Sequence, residues 1–132
     1  MYLYQFLNKY YFHKPCTIHY YTIWPWYYYI TYKIMRVKLI KSLHPEKKFT
    51  AIFQDGSKIH FGGKGYSDYT IHKDPSRMRR YLARHGRMGE TWSKKGIKTA
   101  GFWSRWLLWS KPSLEGAKKL ISKKFGITFT SR

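Results

Sequence analysis

The stretch Lys48-Phe49-Thr50-Ala51-Ile52-Phe53-Gln54-Asp55-Gly56-Ser57-Lys58-Ile59-His60-Phe61-Gly62 decides the fold. Phe49, Ala51 and Phe53 alternate with Thr50 and Ile52, while Ile59 and Phe61 alternate with Lys58 and His60, which is the period-two pattern of strands with one buried face. Asp55-Gly56 separates the two runs. Glycine there accepts the positive φ that a tight hairpin demands, so residues 48–62 are expected to form a β-hairpin. Upstream, Val37, Leu39 and Ile40 mark a further short strand; downstream, Gly62-Gly63-Lys64-Gly65 ends the sheet. A three-stranded antiparallel meander follows.

The second half of the chain has helical spacing. Asp74-Pro75 is a helix start, because Asp accepts hydrogen bonds from free backbone N–H groups and Pro suits the first helical position. The helix is expected to end near His85, with Gly86 as its left-handed cap. On that helix Met78, Tyr81, Leu82 and His85 form one stripe and Arg77, Arg80 and Arg84 a neighbouring one. Phe102 to Trp109 reads as a short helix or buried turn. Ser110 to Pro112 opens a further helix with Leu114, Ala117, Leu120, Ile121 and Phe125 on its inner face, stopped by Gly126. Arg87 to Thr99 reads as a loop. The expected fold class is α+β, a small three-stranded antiparallel β-meander followed by two or three helices, occupying residues 35–126, with 127–132 as a C-terminal tail.

Composition sets the partners. The chain has 132 residues, one domain's length, and 26 Lys+Arg face only 6 Asp+Glu, a net charge of +20. Unpaired charges stay on the surface, and such a surface seeks polyanions: nucleic acid, an anionic membrane face or an acidic protein. The single Cys16 excludes an intramolecular disulfide framework. Residues 1–34 differ from the rest, with no acidic residue and runs such as Tyr27-Tyr28-Tyr29. This segment lacks the start and cleavage pattern of a signal peptide, and its polar aromatics with Pro25 and His19 do not suit a membrane-spanning helix. The break at Met35 admits two readings: an interface-bound or membrane-touching aromatic arm, or an untranslated leader with Met35 as the true start.

Three stretches carry a family resemblance: Ser67-Asp68-Tyr69-Thr70-Ile71-His72-Lys73-Asp74, then Tyr81-Leu82-Ala83-Arg84-His85, then Gly96-Ile97-Lys98-Thr99-Ala100-Gly101-Phe102-Trp103 with Leu107-Leu108-Trp109-Ser110-Lys111-Pro112. From about Met35 to Phe125 the chain resembles small uncharacterised basic proteins of nucleocytoplasmic large DNA viruses, those of algae and amoebae. The resemblance implies a viral source, a virion component and a location in the particle and infected cell; that the product is not secreted is expected from the missing signal-peptide pattern. It implies no reaction.

The candidate nucleic-acid contacts are Lys64, Lys73, Arg77, Arg79, Arg80, Arg84 and Arg87, because cations gripping phosphates release counterions and gain salt-sensitive affinity. Lys118, Lys119, Lys123 and Lys124 form a second cluster, read as a solvated helix face. Trp92, Trp103, Trp106 and Trp109 are candidates for a protein interface or for stacking on bases, weighed against a core role. His13, Cys16 and His19 are too few to argue for zinc, and no cofactor is expected. His60, His72, His85, Asp55, Asp68, Asp74 and Glu90 form no known catalytic pattern, so no enzyme and no small-molecule substrate are expected. The partner is expected to be nucleic acid, DNA before RNA, bound without sequence specificity; the alternative is a minor capsid or cement protein meeting acidic capsid proteins.

Overall fold

In the computed structural model, residues 34–131 are described. The aromatic segment and the His13, Cys16 and His19 spacing lie outside them. Strand β1 (Met35–Lys41), β2 (Lys47–Phe53) and β3 (Lys58–Gly63) pair as the expected antiparallel meander. Asp55 sets the β2–β3 turn by accepting from Ser57 N–H at 3.0 Å, and Gly56 supplies the left-handed residue at φ 80°.

The sheet does not stop at three strands. Residues placed in a tail form β4 (Ile127–Thr130), which pairs in parallel with β1, Met35 opposite Ile127 and Val37 opposite Phe129. The described sheet is therefore mixed, in the order β3-β2-β1-β4. The physical reason is written in the segment itself: Ile127 and Phe129 alternate with Thr128 and Thr130, and Ile127 is buried on the core side.

Four helices follow β3: α1 (Tyr69–His72), α2 (Pro75–Gly86), α3 (Ala100–Trp103) and α4 (Leu114–Phe125). A π-helical turn, Ser104–Leu108, continues α3, and a short 3-10 turn, Lys94–Gly96, interrupts the expected loop before it. Helix α1 escaped the sequence reading because it is one turn long and carries no apolar periodicity. Asp68 nucleates it, buried and accepting from Thr70 N–H at 3.0 Å and Thr70 Oγ–H at 2.5 Å. Gly86 is not the left-handed cap of α2: it lies in the last turn, the cap residue Arg87 is right-handed, and Gly89 takes the positive φ of 75° farther on. Helix α4 starts one step later than Ser110 to Pro112 suggests, capped by Ser113 Oγ accepting from Gly116 N–H, and ends as expected at left-handed Gly126.

Trp103 organises the core. It is fully buried, and its ring lies within 6.0 Å of Phe53 and 5.9 Å of Phe61 on the sheet and 5.6 Å of Phe102. Its one polar atom is satisfied, since the indole N–H donates to the Ile97 carbonyl at 2.8 Å. Leu107, Leu108, Ala117, Ile121 and Phe125 close the helical side against Val37, Ala51 and Ile127 of the sheet. In a chain so poor in aliphatics, one indole joins layers that several leucines would otherwise join.

Two outcomes follow. Trp103→Ala leaves a cavity between sheet and helices and lowers unfolding free energy by about 3–5 kcal/mol, read by urea titration with far-UV circular dichroism. The Asp74 carboxyl, which caps α2, is held below its ordinary range chiefly by the Ser76 N–H hydrogen bond, with Arg77 N–H and the Arg80 charge adding to it. Its folded value is depressed, so its capping contribution is complete above about pH 4 and is lost as pH falls through the folded value. Asp74→Asn keeps the cap without the titration, so the acid-side loss of stability is smaller in that variant than in the parent protein.

Candidate nucleic-acid interface

Helix α2 is oriented by its inward side chains. Tyr81 stacks face to face on Trp109, ring centroids 4.1 Å apart and planes 3° from parallel, and His85 stacks against Tyr81 at 4.1 Å. Burial pushes the Tyr81 phenol up to about 12, and the nearby Glu90 charge pushes the same way. Glu90 fixes the helix end: its carboxylate meets His85 Nδ1 at 2.9 Å and accepts from the Trp92 indole N–H at 2.9 Å. Gly101 makes room for that carboxylate, since a Cβ there would lie 2.9 Å from Glu90 Oε2.

With Tyr81 and His85 turned inward, about 100° per residue places Arg77 and Arg84 at the edge of the inward face, Arg80 and Arg87 beside them, and Arg79 on the far side. The structure agrees for Arg77 and Arg84. Arg77 and Arg84 line a cleft of about 510 Å³ together with Lys47 and Lys48 from β2, whereas Arg79 donates to Ser76 Oγ at 3.3 Å. Lys73 and Lys64 are exposed on the flanking loops. Lys73 is the non-glycine residue with positive φ, 55°, among those described, at the bend between α1 and α2.

The carboxylates explain why these arginines are free. Asp68 holds Lys48 at 2.6 Å, Asp55 holds Lys98 at 2.6 Å, Glu115 holds Lys118 at 3.0 Å, Glu90 holds His85, and Asp74 caps α2. The Asp55 carboxyl is driven well below the carboxylate range, first by its Lys98 hydrogen bond and then by Ser57. Among the described residues no carboxylate pairs with Arg77, Arg79, Arg80, Arg84 or Arg87, all of them exposed. Their charge faces solvent.

The tryptophans are mostly engaged within the domain. Trp103 is fully buried and takes no part in any surface, so its candidacy for an interface falls. Trp106 is half-buried and donates to the Trp92 carbonyl at 2.8 Å, and Trp109 is held by Tyr81. Arg105 is wedged beside two of these rings, 4.3 Å from Trp106 and 5.4 Å from Trp92, with buried Nε and Nη1 atoms that lack a hydrogen-bond partner among the described residues. Burial lowers its guanidinium pKa, and the ring faces stand where hydrogen-bond acceptors usually would.

The second basic cluster divides similarly. Lys118 is paired with Glu115 and Lys124 lies 4.9 Å over Trp106, leaving Lys119 and Lys123 beside a groove along β4.

The exposed aromatic at the cleft is a tyrosine that sequence reasoning passed over. Tyr66, in the loop after β3, is 78% exposed and lines the same cleft as Arg77 and Arg84. Its only sequence signal was its place just after the glycine cluster.

Among the described residues, no group of three or more His, Cys, Asp or Glu side chains is placed to hold a metal, and no helix is long and apolar enough to cross a membrane. Residues 37–85 match a family of unknown function, DUF5754. The match spans the antiparallel meander and α2 to His85, a shorter stretch than the resemblance drawn from sequence. Neither the curated proteins nor the solved structures contain a match to this chain.

Glu90→Ala releases both His85 and Trp92 and removes the tie between the end of α2 and the loop after it. Amide hydrogen exchange should accelerate in residues 87–93 while β1, β2 and β3 stay protected; unchanged exchange in that loop would show that the tie carries no stability.

Proposed function

We propose that this chain is a non-enzymatic basic domain that binds nucleic acid without sequence specificity through the Arg77, Arg80, Arg84 and Arg87 side of α2. The supporting observation is that these guanidinium groups are exposed and free of carboxylate partners while the scarce acids hold structural positions elsewhere. Arginine presents a planar fork of donors that matches phosphate oxygens, and a row of such groups on one helix follows a phosphate backbone. Lys47 adds a cation to the cleft from the sheet, while Lys48 beside it is paired with Asp68. Lys64 and Lys73 flank it. Arg79, on the far side of the helix, makes at most an indirect contribution.

Placement in a viral particle, during packaging or within the mature virion, rests on the resemblance to basic proteins of large DNA viruses. The alternative, a minor capsid or cement protein that meets acidic capsid proteins through tryptophans, draws less support from the geometry. Trp103 is buried, and Trp92, Trp106 and Trp109 are half-buried with partners of their own.

The test is DNA affinity as a function of salt. Each lost phosphate contact lowers the slope of log K against log salt by about 0.9 on duplex DNA, so Arg80→Ala with Arg84→Ala should lower it by about 1.8 and weaken binding on all sequences alike. A wild-type affinity indifferent to salt, or a double variant with the wild-type slope, would remove the phosphate-gripping reading.

A further inference from the structure

The cleft beside α2 combines features that a duplex-binding surface does not need. The loop after β3 turns back over the sheet end because Lys48 bridges it, its ammonium donating to the Tyr66 carbonyl and to Asp68 Oδ2 at 2.6 Å. That bridge presents Tyr66 at the cleft mouth. The ring lies directly against Gly63, where a Cβ would sit 2.8 Å from the Tyr66 ring carbon Cδ2, so glycine is what allows the ring to rest there. With 78% of the residue in solvent, most of the ring stays open.

The open face of the ring is free to take a partner, and it lines the same cleft as Arg77 and Arg84 of α2. Of the two carboxylates on the cleft, Asp68 is paired with Lys48 and Glu90 is hydrogen-bonded to His85 and Trp92, and neither forms an ion pair with Arg77 or Arg84. A cationic track with an aromatic platform is the arrangement by which proteins hold unpaired bases: the ring stacks on a base of any sequence and the cations hold the flanking phosphates. In a duplex those base faces are hidden by their neighbours. The cleft volume of about 510 Å³ falls within the range of small-ligand sites, roomy enough for one nucleotide.

Resting on the nucleic-acid reading above, we propose that this cleft takes one unpaired nucleotide of a single-stranded nucleic acid, its base on Tyr66 and its phosphates on Arg77 and Arg84. Gly63 is the positioning residue for the platform.

The experiment is fluorescence anisotropy of the full chain with a labelled DNA strand of about 20 nucleotides, alone and annealed to its complement, at fixed salt. Tyr66→Ala should weaken single-strand binding roughly 5- to 100-fold and duplex binding less than about twofold. Tyr66→Phe, which keeps the ring, should bind as the parent does, and Gly63→Ala, which keeps the tyrosine but displaces it, should lose much of the single-strand preference. Thermal melts of the three variants read folding separately. If Tyr66→Ala binds the single strand normally, or loses both forms equally, the nucleotide site is refuted while an arginine-dependent affinity for both forms leaves the broader reading standing. If the parent chain binds neither form, both fall.

Discussion

Scarcity of carboxylate is the constraint on which this molecule turns. Its six acids face twenty-six cations, and all but Glu46 have a structural duty: ending a hairpin, nucleating α1, capping α2, tying the loop after α2, or pairing along α4. Among the described residues none of the six, Glu46 included, forms an ion pair with an arginine of α2. A protein with balanced charge would neutralise such a helix locally through i, i+4 pairs. Here the arginines of the helix make no ion pair with a carboxylate, and two of them line a cleft whose low-dielectric walls strengthen their field.

The apolar side of the fold shows the same concentration of roles. Few aliphatic residues are available, so rings carry the packing: Trp103 joins the sheet to the helices, and the Trp109, Tyr81 and His85 stack sets the rotation of α2. That rotation decides which arginines look into the cleft. Core and surface are thus coupled, and a change at Trp109 or Tyr81 would move Arg77 and Arg84 as well as weaken packing.

Much of this fold is legible in the sequence. The meander, its Asp55-Gly56 turn, the Asp74 cap and the Gly126 stop each rest on a local rule that tertiary structure respected. The expectation failed where a segment was too short to show a period. Strand β4 offers only Ile127 and Phe129, and its pairing with β1 depends on a partner far away in sequence; α1 is a single turn set by the Asp68 side chain. The Gly86 cap failed for a different reason, since glycine permits a left-handed turn without requiring one. For the site, the arginine stripe followed from helical spacing alone. The contribution of Lys47, Lys48 and Tyr66 did not, because only the folded sheet carries them to α2. The tryptophans drew attention by size, yet the folded chain uses them inside and leaves a tyrosine at the surface.

The most direct measurement is a nuclear magnetic resonance titration of the isotopically labelled chain with a short DNA strand, following the arginine side-chain Nε–H signals. The account predicts that Arg77, Arg80 and Arg84 shift early and together while Arg36 and Arg79 stay nearly still. Shifts of similar size at every arginine, or shifts confined to residues outside α2, would contradict it.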